Sequence, residues 1–313
     1  MNDFAHIPVM LEECMDGLNL KDGGIYFDGT VGGGGHSYEI LKRSSPTGKL
    51  IATDLDDDAI SAADKRLEEF KGRYEIFKSD YKNFKDVFDR AGIDSIDGAI
   101  LDFGISSYQI DTEDRGFSYM KREAPLDMRM DRTADLTAEK LLNSYPQKEI
   151  AKILKDYGEE KFASQIASNV VKARAQKPLK TCGDFTDIIE SSIPAKFRQN
   201  GPCARKSFQA VRIAVNGELE GLYDCVLSLT RRLKKGGRIV ILTFHSLEDR
   251  IVKQAFRLLE CDCVCDKSLP VCICGKKKEI EILTKKPVTA SVKEMAVNTR
   301  SKCAKLRIAE KII

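Results

Sequence analysis

A glycine-rich turn is the first segment of the sequence whose residue types suggest chemistry. An apolar stretch ends at Asp28 and continues as Gly-Thr-Val-Gly-Gly-Gly-Gly to His36. Glycines between a strand and a helix let a ligand approach the backbone closely. Asp54 ends the next apolar stretch, where a carboxylate can accept hydrogen bonds from both ribose hydroxyls of an adenosine. Turn and acid together predict an adenosine-containing cofactor. A purely structural turn with a helix-capping Asp54 is the alternative.

The spacing of the glycines distinguishes between two such cofactors. Pyrophosphate recognition prefers G-x-G-x-x-G, whereas alternate positions from Asp28 here run D-x-T-x-G-x-G, with Thr30 in place of the first glycine. Asp57 and Asp58 follow shortly after Asp54, and their charge disfavours a 2′-phosphate. We therefore expect S-adenosylmethionine rather than NAD.

A second acid, Asp102, closes the apolar stretch Ile96–Asp102. Ligands of open α/β sheets bind outside the carboxyl ends of the strands, so Asp102 should lie beside the cofactor. A carboxylate there can accept the N–H bonds of an exocyclic amine, orient its nitrogen and take its proton. We predict that Asp102 is catalytic, and a simple turn residue is the alternative. For Tyr81, flanking an adenine ring and packing in the core both stay open.

His245 follows an apolar stretch at the end that should face the same site. An imidazole there could contact the target nucleotide or relay a proton, so we predict a catalytic role. A hydrogen bond to the neighbouring loop is the alternative. Ser246, Glu248 and Asp249 are expected to begin the following helix, where serine and acids cap the helix and complement its dipole.

Five of the ten cysteines fall in one segment, Cys261–Cys274, with spacing C-x-C-x-C-x₆-C-x-C. Four thiolates can hold zinc, but the strongest zinc signature is paired C-x₂-C. We therefore predict no metal and a reduced, thiol-rich loop. Zinc stays open as the alternative, at Cys263, Cys265, Cys272 and Cys274.

The candidate site residues follow strands in a predicted frame of alternating strands and helices. Strands are predicted at Ile25–Asp28, Lys49–Asp54, Tyr74–Lys78, Ile96–Asp102, Arg238–Phe244, Glu279–Thr284 and Lys305–Lys311. Helices are predicted at His36–Arg43, Asp57–Phe70, Asn83–Ala91 and Leu247–Glu260, with another from Leu219 that ends at Gly236–Gly237. The alternation indicates an α/β fold with a parallel sheet and right-handed crossovers.

The pattern changes between about Tyr108 and Ala204, where we predict helices only. Ile150, Ile153, Leu154 and Tyr157 recur at the spacing of an amphipathic helix. We therefore expect an inserted helical substrate-binding domain at 109–204, and a discontinuous core formed by 1–108 and 205–313.

Composition excludes several classes of protein. The chain has 313 residues, of which 42% are hydrophobic and 32% charged, too apolar for a disordered chain. No apolar run approaches the roughly 18 residues of a membrane helix, and no signal peptide is visible. With ten cysteines expected to be reduced, these observations predict a cytoplasmic protein.

The charge distribution suggests a polyanionic partner. Lys161–Arg212 carries ten basic and three acidic residues, and Lys276–Ile313 eleven and four, so each block has a net charge of +7. The rest of the chain carries −11, since the total is only +3. Two such blocks indicate a nucleic-acid surface, with ordinary solvated helix faces as the alternative.

Several motifs together give a more specific indication. The sequence resembles the RsmH (formerly MraW) family of bacterial 16S rRNA cytosine-N4 methyltransferases in order along nearly the whole chain. The similar segments are His6–Glu13, Asp28–Ser37, Asp102–Gln109 (DFGISSYQ), Arg115–Ser118, Leu126–Met130 (LDMRM), Tyr157–Glu160, Phe208–Ile213, Thr243–Arg250 (TFHSLEDR) and Asn298–Arg307.

The resemblance implies a Rossmann-like methyltransferase core with an inserted helical domain, S-adenosylmethionine as cofactor, and N4-methylation of cytosine 1402 in 16S rRNA. It places cofactor contacts at Gly34, Gly35, His36, Asp54, Tyr81, Asp102 and Gln109, the last of which enters through the resemblance alone. The implied partner is 16S rRNA or the small ribosomal subunit. No DNA or membrane partner is expected, and a homodimer stays open.

Two other functions, a DNA amino-methyltransferase and a non-catalytic assembly factor, fit the sequence less well. DNA amino-methyltransferases typically carry a D/N/S-P-P-Y/F turn after the fourth strand, and Asp102-Phe-Gly-Ile-Ser-Ser lacks both prolines. A non-catalytic RNA-binding assembly factor would have no use for the glycine turn together with Asp54 and Asp102. The enzyme is therefore the predicted function.

Overall fold

The structure is a computed structural model that describes residues 8–198, 203–266 and 271–313. The chain divides into two compact units, one formed by Met1–Gly104 and Leu219–Ile313 and the other by Ile105–Glu218. Among the described residues, no helix is both long and apolar enough to cross a bilayer. His6 and Ile7, in the first resembling segment, lie outside the described residues, as do residues 199–202 within the basic block Lys161–Arg212.

The first unit is built on one sheet, in which the described residues form eight strands. They are β1 (Ile25–Asp28), β2 (Lys49–Asp54), β3 (Tyr74–Lys78), β4 (Ile96–Asp102), β5 (Leu233–Thr243), β6 (Ile280–Ile282), β7 (Val288–Thr289) and β8 (Lys305–Lys311). The order is β3-β2-β1-β4-β5-β8-β6, with β7 also paired to β8. Strands β1 to β5 run parallel, and β8 is antiparallel to β5, β6 and β7.

Fourteen α-helices lie in the described residues. They are α1 (Leu11–Leu18), α2 (Gly35–Arg43), α3 (Asp57–Leu67), α4 (Phe84–Ala91), α5 (Ser107–Asp111), α6 (Ala138–Ser144), α7 (Gln147–Asp156), α8 (Ala163–Gln176), α9 (Cys182–Ser192), α10 (Ala195–Arg198), α11 (Arg205–Asn216), α12 (Leu222–Arg231), α13 (Ser246–Glu260) and α14 (Val292–Val297). Helices α5 to α11 belong to the second unit. The predicted α/β class is confirmed.

The central strands β1, β2 and β4 are buried on both faces, which explains why they are nearly continuous apolar runs. One face packs against α4, α12 and α13 through residues such as Phe88, Val226 and Phe256. The other packs against α1, α2 and α3 through residues such as Leu18, Leu41 and Ala63. The carboxyl ends of β1, β2 and β4 therefore sit on a rigid base, and each ends in an aspartate.

The second unit has its own apolar core, which includes Leu154, Ile166 and Phe185. It extends beyond the predicted insertion at 109–204, and that prediction was too narrow. Helix α11 closes this core through Phe208 and Val211, so the unit runs from Ile105 to Glu218. In the described part of this unit, one isolated antiparallel β-bridge, between Pro125 and Thr181, is the only strand-type pairing.

The predicted helix from Leu219 to Gly236–Gly237 was also wrong at its end. Helix α12 stops at Arg231, and Gly236 and Gly237 lie inside β5. Gly236 has φ +77°, and the register of β5 on β4 shifts between Ile96 and Gly98. The glycines thus accommodate an irregularity in the strand, as glycines in strands often do.

Candidate active site

The glycine turn joins β1 to α2 at the carboxyl edge of the sheet. Gly32 and Gly34 have φ of +49° and +74°, values that favour glycine. A Cβ on Gly34 would lie 3.1 Å from the Cα of Ala63, so this glycine lets the turn pack on α3. A Cβ on Gly32 would meet nothing nearer than the Thr30 carbonyl oxygen at 3.9 Å. The backbone at Gly32 therefore borders open space that a ligand could occupy.

Asp54 holds this turn in place. Its Oδ2 accepts the backbone N–H of Gly32 at 2.9 Å, and its Oδ1 accepts that of Asp56 at 3.0 Å. Burial raises the pKa of Asp54, and the two backbone hydrogen bonds oppose that rise. Since each carboxylate oxygen can accept two hydrogen bonds, Asp54 retains capacity for the ribose hydroxyls predicted from the sequence.

We expect Asp54→Asn to weaken S-adenosylmethionine binding by about 10- to 100-fold, because hydrogen bonds to a charged group contribute about 1.5–3 kcal/mol each. The amide would also turn an N–H towards one of the two backbone donors. Isothermal titration calorimetry measures the effect. Asp22→Asn is the matched control, since Asp22 also accepts two hydrogen bonds, both from Thr47, but in an exposed turn. Unchanged affinity in Asp54→Asn would mean that no ligand contacts Asp54.

Asp102 ends β4 in a cluster of charged side chains. Its backbone N–H donates to Thr30 Oγ1 at 2.7 Å, and its Oδ2 lies 3.8 Å from His36 Nδ1. Its Oδ1 is buried and accepts no hydrogen bond from any described residue. Burial, then the nearby charges of Asp28 and Glu248, raise the pKa of Asp102 to about 8. A buried acceptor without a donor is expensive unless a ligand supplies one.

His36 is oriented by the segment before α1. Its Nε2 lies 3.1 Å from the carbonyl oxygen of Val9, and its ring is buried. With Nε2–H donating to that carbonyl, Nδ1 is left facing Asp102. The Pro-Val-Met part of the first resembling segment therefore has a definite structural task. It fixes an imidazole against the acid of β4.

Asp28, which ends β1, was not among the predicted site residues. It is buried, and its carboxylate accepts the Ser37 hydroxyl at 2.6 Å and the Thr30 N–H at 3.1 Å. Burial raises its pKa to about 6 against the effect of these hydrogen bonds. The signal was available in the sequence, because Asp28 ends its strand just as Asp54 and Asp102 do.

His245 is the N-cap of α13, a position the sequence assigned to Ser246. Its backbone N–H donates to Glu248 Oε2 at 3.2 Å, and its Nδ1 lies 3.4 Å from the backbone nitrogen of Glu248. Nε2 is 3.0 Å from Glu248 Oε1 but outside hydrogen-bond geometry. Glu248 is almost fully buried, and sequence reasoning assigned it to the start of the helix but not to the site. Its charge reaches Asp102, where it helps raise the pKa.

Tyr81 is half-buried and begins a short 3₁₀ helix after β3. Its ring lies 5.4 Å from that of Phe103 at an interplanar angle of 33°. Phe103 thus packs against the Tyr81 ring, as the core alternative expects, and the contact with adenine stays a prediction.

Gln109 lies in the second unit, within α5. It completes a capping box in which its Oε1 accepts the Ser106 N–H at 3.0 Å and its own N–H donates to Ser106 Oγ at 3.2 Å. Its side chain is buried. The structure therefore gives Gln109 a local role in starting this helix, and its predicted cofactor contact stays a prediction.

Comparison with known proteins identifies the family of this chain. A family model described as the MraW methylase family matches residues 3–312. The chain belongs to this family. The ribosomal RNA small subunit methyltransferase H of Clostridium botulinum (strain Kyoto / Type A2) is 50% identical over 310 residues, which cover 99% of this chain and 100% of the relative. The enzyme of that name from Clostridioides difficile (strain 630) is 47% identical over 311 residues, with the same coverage.

Solved structures of lower similarity also match. An rRNA methylase from Streptococcus thermophilus is 12% identical with a TM-score of 0.43, covering 99% of this chain and 100% of that chain. An S-adenosylmethionine-dependent O-methyltransferase from Thermotoga maritima is 12% identical with a TM-score of 0.39, covering 97% and 64%.

S-adenosylmethionine is the cofactor of this MraW-family methylase, and the charges of the site fit it. Asp28, Asp102 and Glu248 place three carboxyl groups near one another, which favours a cationic sulfonium and disfavours an anionic pyrophosphate. The open backbone at Gly32 and the unpartnered Oδ1 of Asp102 offer polar contacts. Asp54 is the residue that would hold the ribose.

Proposed function

We propose that this protein methylates the N4 amine of a cytosine in 16S rRNA, at cytosine 1402 as its sequence resemblance implies. The C. botulinum and C. difficile relatives are named as ribosomal RNA small subunit methyltransferases. The two basic blocks of the sequence supply charge for a polyanion of this kind. The substrate is thus small-subunit rRNA, either free or within the assembled subunit.

One observation supports an amine target best, namely the buried, unpartnered Oδ1 of Asp102 at the end of β4. The lone pair of a cytosine amine is delocalised into the ring, so the amine needs acceptors that orient its N–H bonds. S-adenosylmethionine supplies an electrophilic methyl group on a good leaving sulfur. Asp102 would orient the amine through one N–H and receive the proton released as the N–CH₃ bond forms.

The charge of the cofactor suits this role. Burial and the neighbouring carboxyl groups raise the pKa of Asp102 to about 8 in the cofactor-free protein, and a sulfonium beside it would favour the ionised form that can take a proton. The target base must be single-stranded or leave its stack to reach the carboxylate at the end of β4, whose side chain is 26% exposed. We assign extrusion of the base to contacts with the flanking RNA, for which the basic block Lys161–Arg212 is the candidate.

The test uses labelled S-adenosylmethionine with small ribosomal subunits that lack the modification. The RNA is then digested and its nucleosides are separated. We expect the label in N4-methylcytidine, from one cytosine of the 16S rRNA. Label in another nucleoside would overturn the amine assignment and keep the methylase. Saturable cofactor binding without label in any RNA would favour an assembly factor, and label in DNA a DNA enzyme.

A pair of substitutions separates two roles of His245. His245→Ala should lower the free energy of unfolding by about 1 kcal/mol, since a helix loses its N-cap. Asparagine caps helices well, so His245→Asn should restore stability. We expect His245→Asn still to lose about tenfold or more in methyl transfer, as loss of a nucleotide contact or proton relay would. Thermal unfolding and single-turnover assays measure both, and full activity in His245→Asn would leave only the capping role.

A further inference from the structure

The cysteine segment that the active site does not use has a geometry of its own. Four of its thiols, at Cys263, Cys265, Cys272 and Cys274, bring their sulfur atoms within 4.8 Å of one another. The Sγ of Cys272 lies 3.5 Å from that of Cys263, 3.9 Å from that of Cys265 and 3.6 Å from that of Cys274. Cys263 and Cys274 are 3.9 Å apart.

These distances match the edges of a metal–sulfur tetrahedron. A Zn–S bond of about 2.3 Å places two sulfurs of a tetrahedral site about 3.8 Å apart. Disulfides would instead divide the four thiols into two pairs, each with its sulfurs about 2.05 Å apart. Four thiols converging on one centre are the arrangement of a metal site.

The C-x-C spacing, which disfavoured zinc at the level of the sequence, has a structural explanation. Within each pair both sulfurs belong to the group of four, and the apolar side chain between them lies on the surface. Val264 and Ile273, the intervening residues, are 54% and 79% exposed.

Backbone donors surround the sulfurs. The N–H of Cys265 donates to Cys263 Sγ at 3.4 Å, that of Ile273 to Cys265 Sγ at 3.4 Å, and that of Val264 to Cys274 Sγ at 3.5 Å. Hydrogen bonds of this kind stabilise thiolates, the form in which cysteine binds metals. Lys276–Lys278 follow directly in the sequence and add positive charge near a site that would carry a net negative one.

The described part of the segment, 261–266 and 271–274, has no buried residue. Val271 is 70% exposed, and the two apolar residues inside the C-x-C pairs are exposed as well. Beyond the segment, the Glu279 N–H donates to the Leu259 carbonyl oxygen at 2.8 Å and the Ile282 N–H to Glu260 Oε1 at 3.1 Å, so the chain on either side is anchored to the unit. A bound metal would supply the missing core.

We propose that Cys263, Cys265, Cys272 and Cys274 bind a structural zinc ion that closes the loop between α13 and β6. With four protein ligands the ion has no open coordination position, so it takes no part in methyl transfer. It stabilises the connection that leads from α13 into β6 at the far edge of the sheet.

The test is the metal content of the full-length protein, expressed with added zinc and purified under reducing conditions. We expect about one zinc per chain by mass spectrometry of the metal. Exchange for Co²⁺ should give the visible bands of tetrahedral cobalt and charge-transfer bands of cobalt thiolate. Removing the zinc with a chelator should release four thiols to a thiol reagent and lower the melting temperature of the protein.

Two serine variants make the assignment specific. Cys272→Ser should lose most of the metal and the cobalt–thiolate bands. Cys261→Ser is the matched control in the same segment, since its sulfur donates to the Leu258 carbonyl oxygen and stands outside the group of four. Zinc-free reduced protein that gives no cobalt–thiolate bands would overturn the proposal, and so would disulfides or a stoichiometric iron site. Equal metal loss in both variants would also contradict it.

Discussion

Replacing Asp102 with asparagine is expected to lower methyl transfer by about 100- to 10,000-fold, the range for loss of a general base. Asparagine keeps the shape of the side chain and one acceptor, but it cannot take a proton. Affinity for S-adenosylmethionine should fall much less, by about tenfold, because only one charge near the sulfonium is lost. Single-turnover transfer and calorimetric affinity measure the two effects, and equal losses in both would show that Asp102 only holds the cofactor.

The same substitution should stabilise the cofactor-free protein at alkaline pH. The pKa of Asp102 is raised to about 8 in the folded protein, from an ordinary value of 3.8, so the folded state binds the proton more tightly than the unfolded state does. The stability from this proton is complete below about pH 4 and is lost as the pH rises to about 8. Since Asp102→Asn removes the titration, we expect it to exceed the wild type by about 2–4 kcal/mol near pH 9.

Denaturant unfolding at several pH values checks this sign. The variant and the wild type should converge near pH 4, and the gap should open between about pH 5 and pH 8. Asp89→Asn, on the exposed side of α4, is the control and should run parallel to the wild type at all pH values. A variant less stable than the wild type at pH 9 would mean that the carboxylate of Asp102 is stabilised in the folded protein.

Cofactor affinity in the wild type should depend on pH in the opposite sense. A sulfonium binds more tightly to an ionised Asp102, so affinity should rise as the pH passes through about 8. This rise should be absent in Asp102→Asn. A loss of stability on ionisation and a gain in ligand affinity thus arise from one group, as is typical of carboxyl groups positioned for function.

Much of the frame could be predicted because its signals are local. The runs that form β1 to β4 are apolar and short, and their bounds in the structure are those predicted. The end of α12 could not be read in the same way, since Gly236 and Gly237 look like a helix stop and are instead accommodated within β5. Helix α11 was missed as part of the second unit because only tertiary packing through Phe208 shows which core it joins.

The site residues, too, were predictable where their signal is local and not where it depends on tertiary structure. Asp54 and Asp102 were predictable from their positions at strand ends, and the structure gives each a specific geometry. The proximity of Glu248 to Asp102 was not predictable, because it depends on a helix cap at His245 far along the chain. The convergence of the four cysteines was likewise hidden, since C-x-C spacing leaves open where the second pair lies.

Arg115 shows how strongly one buried cation can organise a loop in the second unit. Its side chain is 1% exposed, and its Nη2 donates at 3.0 Å to the carbonyl oxygens of both Arg129 and Met130. Its own carbonyl oxygen accepts the N–H of Met128. The segment Leu126–Met130, one of the resembling motifs, therefore folds around the Arg115 guanidinium.

The arginine within that motif is engaged internally. Arg129 makes a two-pronged pair with Asp127, at 2.9 and 2.7 Å, and its Nη1 donates to the carbonyl oxygens of Arg132 and Ala134. These bonds engage Arg129 within the second unit. Asn216 also holds the motif, because its side chain accepts the Met130 N–H at 2.7 Å and donates to the Met128 carbonyl oxygen at 2.8 Å.

We expect Arg115→Leu to lower the free energy of unfolding of the second unit by about 3 kcal/mol or more. Leucine fills part of the space, but the carbonyl oxygens of two half-buried residues, Arg129 and Met130, lose a charged donor, and hydrogen bonds to charged groups contribute about 1.5–3 kcal/mol each. Arg132→Leu is the matched control, because Arg132 is half exposed and pairs with Asp114, and surface pairs contribute only about 0–1 kcal/mol.

The chain has no tryptophan, so near-ultraviolet circular dichroism and hydrogen exchange at Leu126–Met130 are the suitable probes. Faster exchange in this segment with unchanged exchange in the sheet is the decisive result, because it separates a local opening from unfolding of the whole chain. Equal exchange in both variants would show that the motif holds its shape without Arg115.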